Sequence, residues 1–317
     1  MNRWDHARQL LRIGRRAETG GDVPEEPFRA TAERAQPGPR SVRCRSICIA
    51  SGKGGTGKSS ITAALADLLR LQGSALLLDA DLGCANAHIF HDVRPEHSFA
   101  DVVAGDRGVH EIVTPCAPGL DLLPGGSGVG RLAGLREYEL EMIGRGLARI
   151  EPDYDFLLVD SAAGLSRQTV AFAAACDRTV LVTTPDVTAM TDAYAFLKVF
   201  VRQCAALGQR RELPLLVVNR ATSENEAKEV SGRLSEVTRK FLDQRLEVLG
   251  WMPEDRAVFR CTQRRQSVVS GEPGSKIARA LERVSSDLLA RLQGFEGPGA
   301  GGRLEEMSTE PPRTRRA

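Results

Sequence analysis

Residues Arg45–Leu71 read RSICIASGKGGTGKSSITAALADLLRL, and this stretch decides the fold. Its centre, Gly52–Ser60 (GKGGTGKSS), contains G-x-x-x-x-G-K-S, the pattern of a phosphate-binding loop. A triphosphate is a concentrated anion. Gly52, Gly54, Gly55 and Gly57 let the backbone bend without side-chain clashes, so that the N–H groups of the loop, with Thr56 and Ser60 inside it, can converge on that anion. A helix starting near Lys58 adds its positive end. Lys58 is expected to reach the β- and γ-phosphates of a nucleoside triphosphate, and the Ser59 hydroxyl to bind Mg²⁺. The flanks suit the motif: RSICIA is a short apolar, β-branched run that reads as a buried strand, and Ile61–Leu71 carries a helix pattern. A second lysine, Lys53, stands inside the loop.

Outward from the loop, strands and helices alternate. Apolar runs at Ala75–Asp79 (ALLLD), Leu120–Leu123, Phe156–Asp160 (FLLVD), Thr179–Thr183, Leu215–Asn219 (LLVVN) and Val248–Trp251 read as strands buried on both faces. The pattern predicts a three-layer α/β/α fold with a mostly parallel sheet. It predicts four parts: a helical segment over 1–18, a Gly-, Pro-, Glu- and Arg-rich linker over 19–42, a phosphate-loop domain over 43–293 and a breaker-rich disordered tail over 294–317.

Composition narrows the class. The 317 residues are 42% hydrophobic, enough for a sizeable core, and a formal net charge of +2 gives no general nucleic-acid or membrane signal. Seven cysteines form no C-x-x-C pair and are odd in number, which points to buried small hydrophobes in a reducing cytoplasm. No apolar run reaches the length of a membrane span, and the polar, arginine-rich N-terminus lacks the apolar core of a signal peptide.

In open parallel sheets, ligands sit beyond the carboxyl ends of the strands. Ser51, Asp79, Asp81, Asp160, Ser161, Asn219, Arg220, Pro253, Glu254 and Asp255 all fall there. Asp160, after four apolar residues, is expected to be the second Mg²⁺ anchor, with a helix N-cap as its structural alternative. Asp79 and Asp81 lie on one face of an extended segment. One is suited to the metal shell and the other to orienting an attacking water, unless both are simply turn residues.

The loop Gly52–Ser60, with its early lysine, resembles the deviant phosphate loop of the MinD/ParA ATPases. Asp79–Asn86 (DADLGCAN) and Asp160–Leu165 (DSAAGL) resemble that family's two switches. Pro124–Gly128, Thr183–Tyr194 and Trp251–Val258 are similar to stretches of its flagellar-number branch, called FlhG or FleN. The resemblance implies an ATP-dependent homodimer that hydrolysis releases. In it Lys53 reaches the nucleotide of the other subunit and Asp81 orients the water. Asp79 and Asp160 support Mg²⁺, while Asn219 reads the adenine edge under a Pro253–Asp255 turn. It also implies a segment that stimulates the GTPase FlhF. Asp5, Ala7 and Leu10 fit that pattern; His6 and Leu11 depart from it.

At the other end, Ile277, Leu281, Val284, Leu288 and Leu292 share one helical face. That face is expected to pack on the sheet; the alternative is a helix lying on the inner face of the cell membrane. Two rival functions stay open: a partition ATPase that binds DNA, disfavoured by the lack of a dense lysine cluster, and a regulatory module that sequesters a transcription activator or a flagellar switch component. An iron–sulfur carrier is disfavoured by the scattered cysteines.

Overall fold

The computed structural model describes Trp4 and residues 43–82, 85–126, 137–206, 208–209 and 211–293. Apart from Trp4, the expected segments 1–18, 19–42 and 294–317 lie outside the described residues, as do Gly83 and Cys84.

Eight strands make one sheet: β1 (Arg45–Ala50), β2 (Ala75–Ala80), β3 (Thr114–Ala117), β4 (Leu120–Leu123), β5 (Phe156–Ser161), β6 (Arg178–Thr183), β7 (Leu215–Ala221) and β8 (Val248–Pro253). Their order is β3-β4-β2-β5-β1-β6-β7-β8, and only the β3–β4 pair is antiparallel. The six expected strands after β1 are all present, within two residues at their ends. β3 was not expected: TPCA is short, contains Pro115 and has no alternating pattern, so only its pairing with β4 at the sheet edge makes it a strand.

Successive side chains of each strand enter opposite layers. Cys48, Ala50, Leu76, Leu78, Leu157 and Val159 face one core; Ile47, Ile49, Leu77, Leu158 and Val180 face the other. This two-sided burial is why the strands read as unbroken apolar runs. On the first face pack α2 (Phe99–Ala104), α3 (Glu137–Ile150), α4 (Arg167–Ala175), α5 (Val187–Ala206) and α6 (Glu224–Leu242). On the second pack α1 (Lys58–Leu69), α7 (Arg256–Gln263), the single turn α8 (Val268–Gly271) and α9 (Lys276–Gln293).

The C-terminal stripe packs inward, as expected. Ile277, Leu281, Val284, Leu288 and Leu292 of α9 are all buried, against β8 and α1. In this arrangement their apolar face is not available to a lipid surface. No described helix is long and apolar enough to cross a membrane.

Candidate nucleotide site

The sheet register brings the site together. Asp79 on β2 lies directly beside Asp160 on β5, and Ile49 of β1 lies on the other side of Asp160. The loop that leaves β1 therefore passes over two adjacent carboxylates.

The loop is fastened from several directions. Gly57 has φ 90° at the N-cap of α1, and a Cβ there would stand 2.3 Å from Asn219 Nδ2. Only glycine suits that conformation and that gap. At Gly52 a Cβ would stand 2.2 Å from the Asp192 carbonyl oxygen of α5. Ser51 Oγ donates to the Lys53 carbonyl at 3.0 Å, and the Gly164 N–H donates to the Ser51 carbonyl at 2.9 Å, tying the DSAAGL turn to the loop.

The two lysines have opposite environments. Lys58 is 7% exposed and its Nζ donates to Asp160 Oδ1 at 2.7 Å, with Thr62 Oγ1 3.2 Å from the same oxygen. Asp160 is thus the partner of the loop lysine and not a helix cap; Ser166 caps α4 instead. Ser59 Oγ lies 3.4 Å from the Lys58 ammonium. Lys53 is exposed; its Nζ donates to Asp186 Oδ2 at 2.9 Å and also meets the Thr188 hydroxyl. That lysine and Thr188 hold the Asp186 carboxyl below its usual range, Lys53 being the larger cause.

Asp79 is buried and accepts two backbone hydrogen bonds, from the Ala87 N–H at 2.9 Å and the Asp81 N–H at 3.2 Å. It therefore organises the loop that carries Asp81, which is a turn role. Burial first, and then the neighbouring Asp160, push its carboxyl up to about 7. Gly125 backs this loop: a Cβ there would stand 2.5 Å from the Asp79 carbonyl oxygen. The PGG turn thus has a packing reason that the sequence does not display.

Asn219, at the end of β7, donates from Nδ2 to the Thr56 carbonyl at 2.7 Å, while its Oδ1 is buried without a partner. Thr56 Oγ1 is likewise buried and unpartnered. A buried polar atom left unpaired costs about 1–3 kcal/mol, so each of these two atoms would gain from a further partner. Arg220 follows with φ 59°, a rare left-handed conformation for its type, and pairs with Glu254 at 3.2 Å. Asp255 caps α7 through the Ala257 N–H at 2.9 Å and also accepts from the Ile277 N–H at 3.4 Å. Its carboxylate is therefore engaged in structure, and none of Pro253, Glu254 and Asp255 lines the cavity beside the loop. A cavity of about 500 Å³ runs along the outer side of the loop, lined by Lys53, Gly55, Thr56, Thr184, Asp186 and Arg220 among others.

Sequence reasoning missed Thr62, Asp186, Thr188 and Gly125. Thr62 was findable, since it stands one helical turn after Lys58 and so lies on the same face. The other three lie in the Pro124–Gly128 and Thr183–Tyr194 stretches already noted for their resemblance, but nothing local to them shows the contacts they make. Cys48, Cys176, Cys204 and Cys261 are buried and unpaired, and burial pushes the Cys48 thiol up, as expected for packing residues. Among the described residues no cluster of three or more His, Cys, Asp or Glu forms a metal cage.

A glycine-rich loop at the carboxyl edge of a parallel sheet, with its lysine on a buried strand-end aspartate, defines a phosphate-loop nucleotide-binding protein. A profile of the CobQ/CobB/MinD/ParA nucleotide binding domain matches residues 47–268. The chain is 31% identical to the antiactivator FleN of Pseudomonas aeruginosa over 75% of this chain and 84% of that one. It is 29% identical to the flagellum site-determining protein YlxH of Helicobacter pylori over 78% and 82%. The fold matches MinD of Pyrococcus horikoshii, solved with Mg-ADP, at TM-score 0.61 and 23% identity over 79% of this chain and 98% of that one. The chain belongs to the MinD/ParA family of nucleotide-binding ATPases.

Proposed function

We propose that this protein is an ATPase that dimerises on Mg-ATP, hydrolyses it to ADP and phosphate, and thereby sets the number or placement of flagella. The observation that carries the reading is the division of labour between its two lysines. Lys58 is buried on Asp160 beneath the loop, whereas Lys53 stands at the cavity rim on an exposed pair with Asp186. Exposed ion pairs hold weakly, so Lys53 is free to exchange Asp186 for a phosphate across a subunit interface. The flagellar role is supported by similarity to FleN and YlxH.

The donor set fits Mg²⁺ and a nucleotide. Mg²⁺ takes oxygen donors, usually one or two carboxylates with phosphates and water, and does not need an all-protein cage. Ser59 in the first turn of α1, Asp160 near the end of β5 and Asp79 near the end of β2 are such donors. When bound, the metal would neutralise charge on the β- and γ-phosphate oxygens. Lys58 would turn from Asp160 to the phosphates, and Asp81 would orient the attacking water. Hydrolysis needs that positioning more than a strong base. Gly52–Ser60 would wrap the phosphates. The orphan Asn219 Oδ1 would accept from the adenine amino group, with Pro253–Asp255 closing over the base.

The partner reading follows the same relatives. We place the protein in the cytoplasm, with contact at the inner membrane face as the further option. Asp5, Ala7 and Leu10 would serve an FlhF-type GTPase. The name antiactivator for FleN favours a second reading, in which the ATP-bound form sequesters a transcription activator. DNA binding is disfavoured by the net charge of +2.

Light scattering of wild type and Asp81→Ala, with Mg-ATP and with Mg-ADP, tests the switch. We expect a dimer with ATP only, which decays in wild type and persists in Asp81→Ala. A monomer in every state would sink the dimer mechanism. Asp81→Ala that still captures the activator would favour the sequestering reading over one that needs turnover.

A further inference from the structure

Helix α7 carries an outward stripe that the nucleotide site does not use. Ala257 and Cys261 bury its inner side, while Arg256, Phe259 and Arg260, with Arg264 just past its end, are exposed. Phe259 is 68% exposed, a large aromatic surface left in water. Arg260 closes a fork on Glu272: its Nε donates to Oε1 at 2.8 Å and its Nη2 to Oε2 at 2.5 Å. Arg264 Nη2 donates to the same Oε1 at 2.8 Å, and both guanidinium groups stay about half exposed. One carboxylate thus answers two cations, and Nε and Nη1 of Arg264 donate to no described residue. The Ile277 N–H donates to Asp255, the N-cap of α7, which sets Lys276 at the head of α9 close to Arg256. Among the described residues no ion pair holds Arg256 or Lys276. Residues 256–283 hold seven Lys and Arg against two Glu in a chain of net charge +2, so the rest of the chain is net negative.

We propose that this face of α7, extended by Lys276, is a docking surface for an acidic segment of another protein, one that sets an apolar side chain on Phe259. Glu272 marks the chemistry. The arginine pair is already arranged to grip a carboxylate, and it has donors left for a second one. Arginine and aromatic side chains together are the usual anchors of protein interfaces. A nucleic acid fits less well. Phe259 alone makes no stacking series for bases, and the net negative remainder of the chain repels a long polyanion. None of these residues lines the cavity beside the phosphate loop, so the surface stands apart from the nucleotide reading.

The experiment titrates the full chain, without nucleotide, against three fluorescent probes read by anisotropy: a random glutamate–tyrosine copolymer, polyglutamate and a mixed-sequence DNA duplex. We expect saturable binding, tightest for the copolymer, then polyglutamate, then the duplex. Phe259→Ala should weaken binding of the copolymer several-fold and leave that of polyglutamate unchanged. Arg260→Glu and Arg256→Glu should each weaken both by about tenfold, the effect of one interface hot-spot arginine. Arg256→Glu breaks no ion pair of the described residues, so it keeps the test decisive if Arg260→Glu fails to fold. Glu272→Gln releases both guanidinium groups and should tighten binding of both polymers. Copolymer binding that is absent, or that is unchanged in Arg256→Glu, would overturn the surface. Equal copolymer affinity in Phe259→Ala and wild type would overturn its apolar half, and no gain in Glu272→Gln would overturn the role of the arginine pair. A duplex that binds more tightly than the copolymer, and is released by Arg256→Glu, would overturn the protein partner in favour of nucleic acid.

Discussion

The charged core of the site is three side chains: Lys58, Asp160 and Asp79. Breaking a buried ion pair by removing one partner leaves an unpaired charge and costs about 3–5 kcal/mol. Lys58→Ala should therefore lower stability in denaturant titration as well as abolish nucleotide binding. Adding Asp160→Asn should recover more than half of that stability and none of the binding. A purely functional lysine would show no such recovery. Asp79 supplies a pH signature. Burial first, and then the neighbouring Asp160, push its carboxyl up to about 7 in the folded chain, above the ordinary carboxylate range, so the folded state holds the proton more tightly. The resulting stability is fully present below the unfolded value and is lost as pH rises through the folded one. Half-buried His91, held below its ordinary value chiefly by desolvation, acts with the opposite sign. The clean quantity is thus a difference. Thermal unfolding of wild type and Asp79→Asn between pH 5 and pH 8 should show the variant gaining relative to wild type as pH rises.

At the scale of elements, α9 separates packing from membrane binding. Leu288 is fully buried on the second face of the sheet. Leu288→Ala should cost about 2–5 kcal/mol of stability, the range for large-to-small core changes. Its vesicle flotation, measured below the melting point, should match wild type. A drop in flotation with stability unchanged would mean that α9 leaves the sheet for lipid. The strands and the phosphate loop were legible because a two-sided parallel strand and a glycine-rich turn each leave a local pattern. The edge strand β3 was not, since Pro115 and four residues carry no period and its pairing is supplied by β4.

For the whole molecule, the prediction concerns the exposed lysine. Lys53→Ala should bind Mg-ATP nearly as wild type does, because Lys58 and the loop amides remain, yet stay monomeric by light scattering. A Lys53→Ala protein that dimerises on Mg-ATP would remove the reason for a second lysine. That Lys53 rests on Asp186 in a single subunit could not be read from the chain, because residues 133 apart meet only when β6 lies beside β1.

The sequence by itself determined the class of fold, the phosphate loop and the acids at the strand ends. These follow from residue type and short spacing, which act within a few residues of chain. Tertiary structure alone decided that Asp79 and Asp160 are neighbours, because the register of two strands, β2 and β5, sets them side by side. It alone decided that Asn219 locks the loop, that α9 buries its apolar stripe and that Trp4 is part of the core. In each case the partner lies far away in sequence, and the contact exists only because the sheet, once formed, brings the distant side chain within reach.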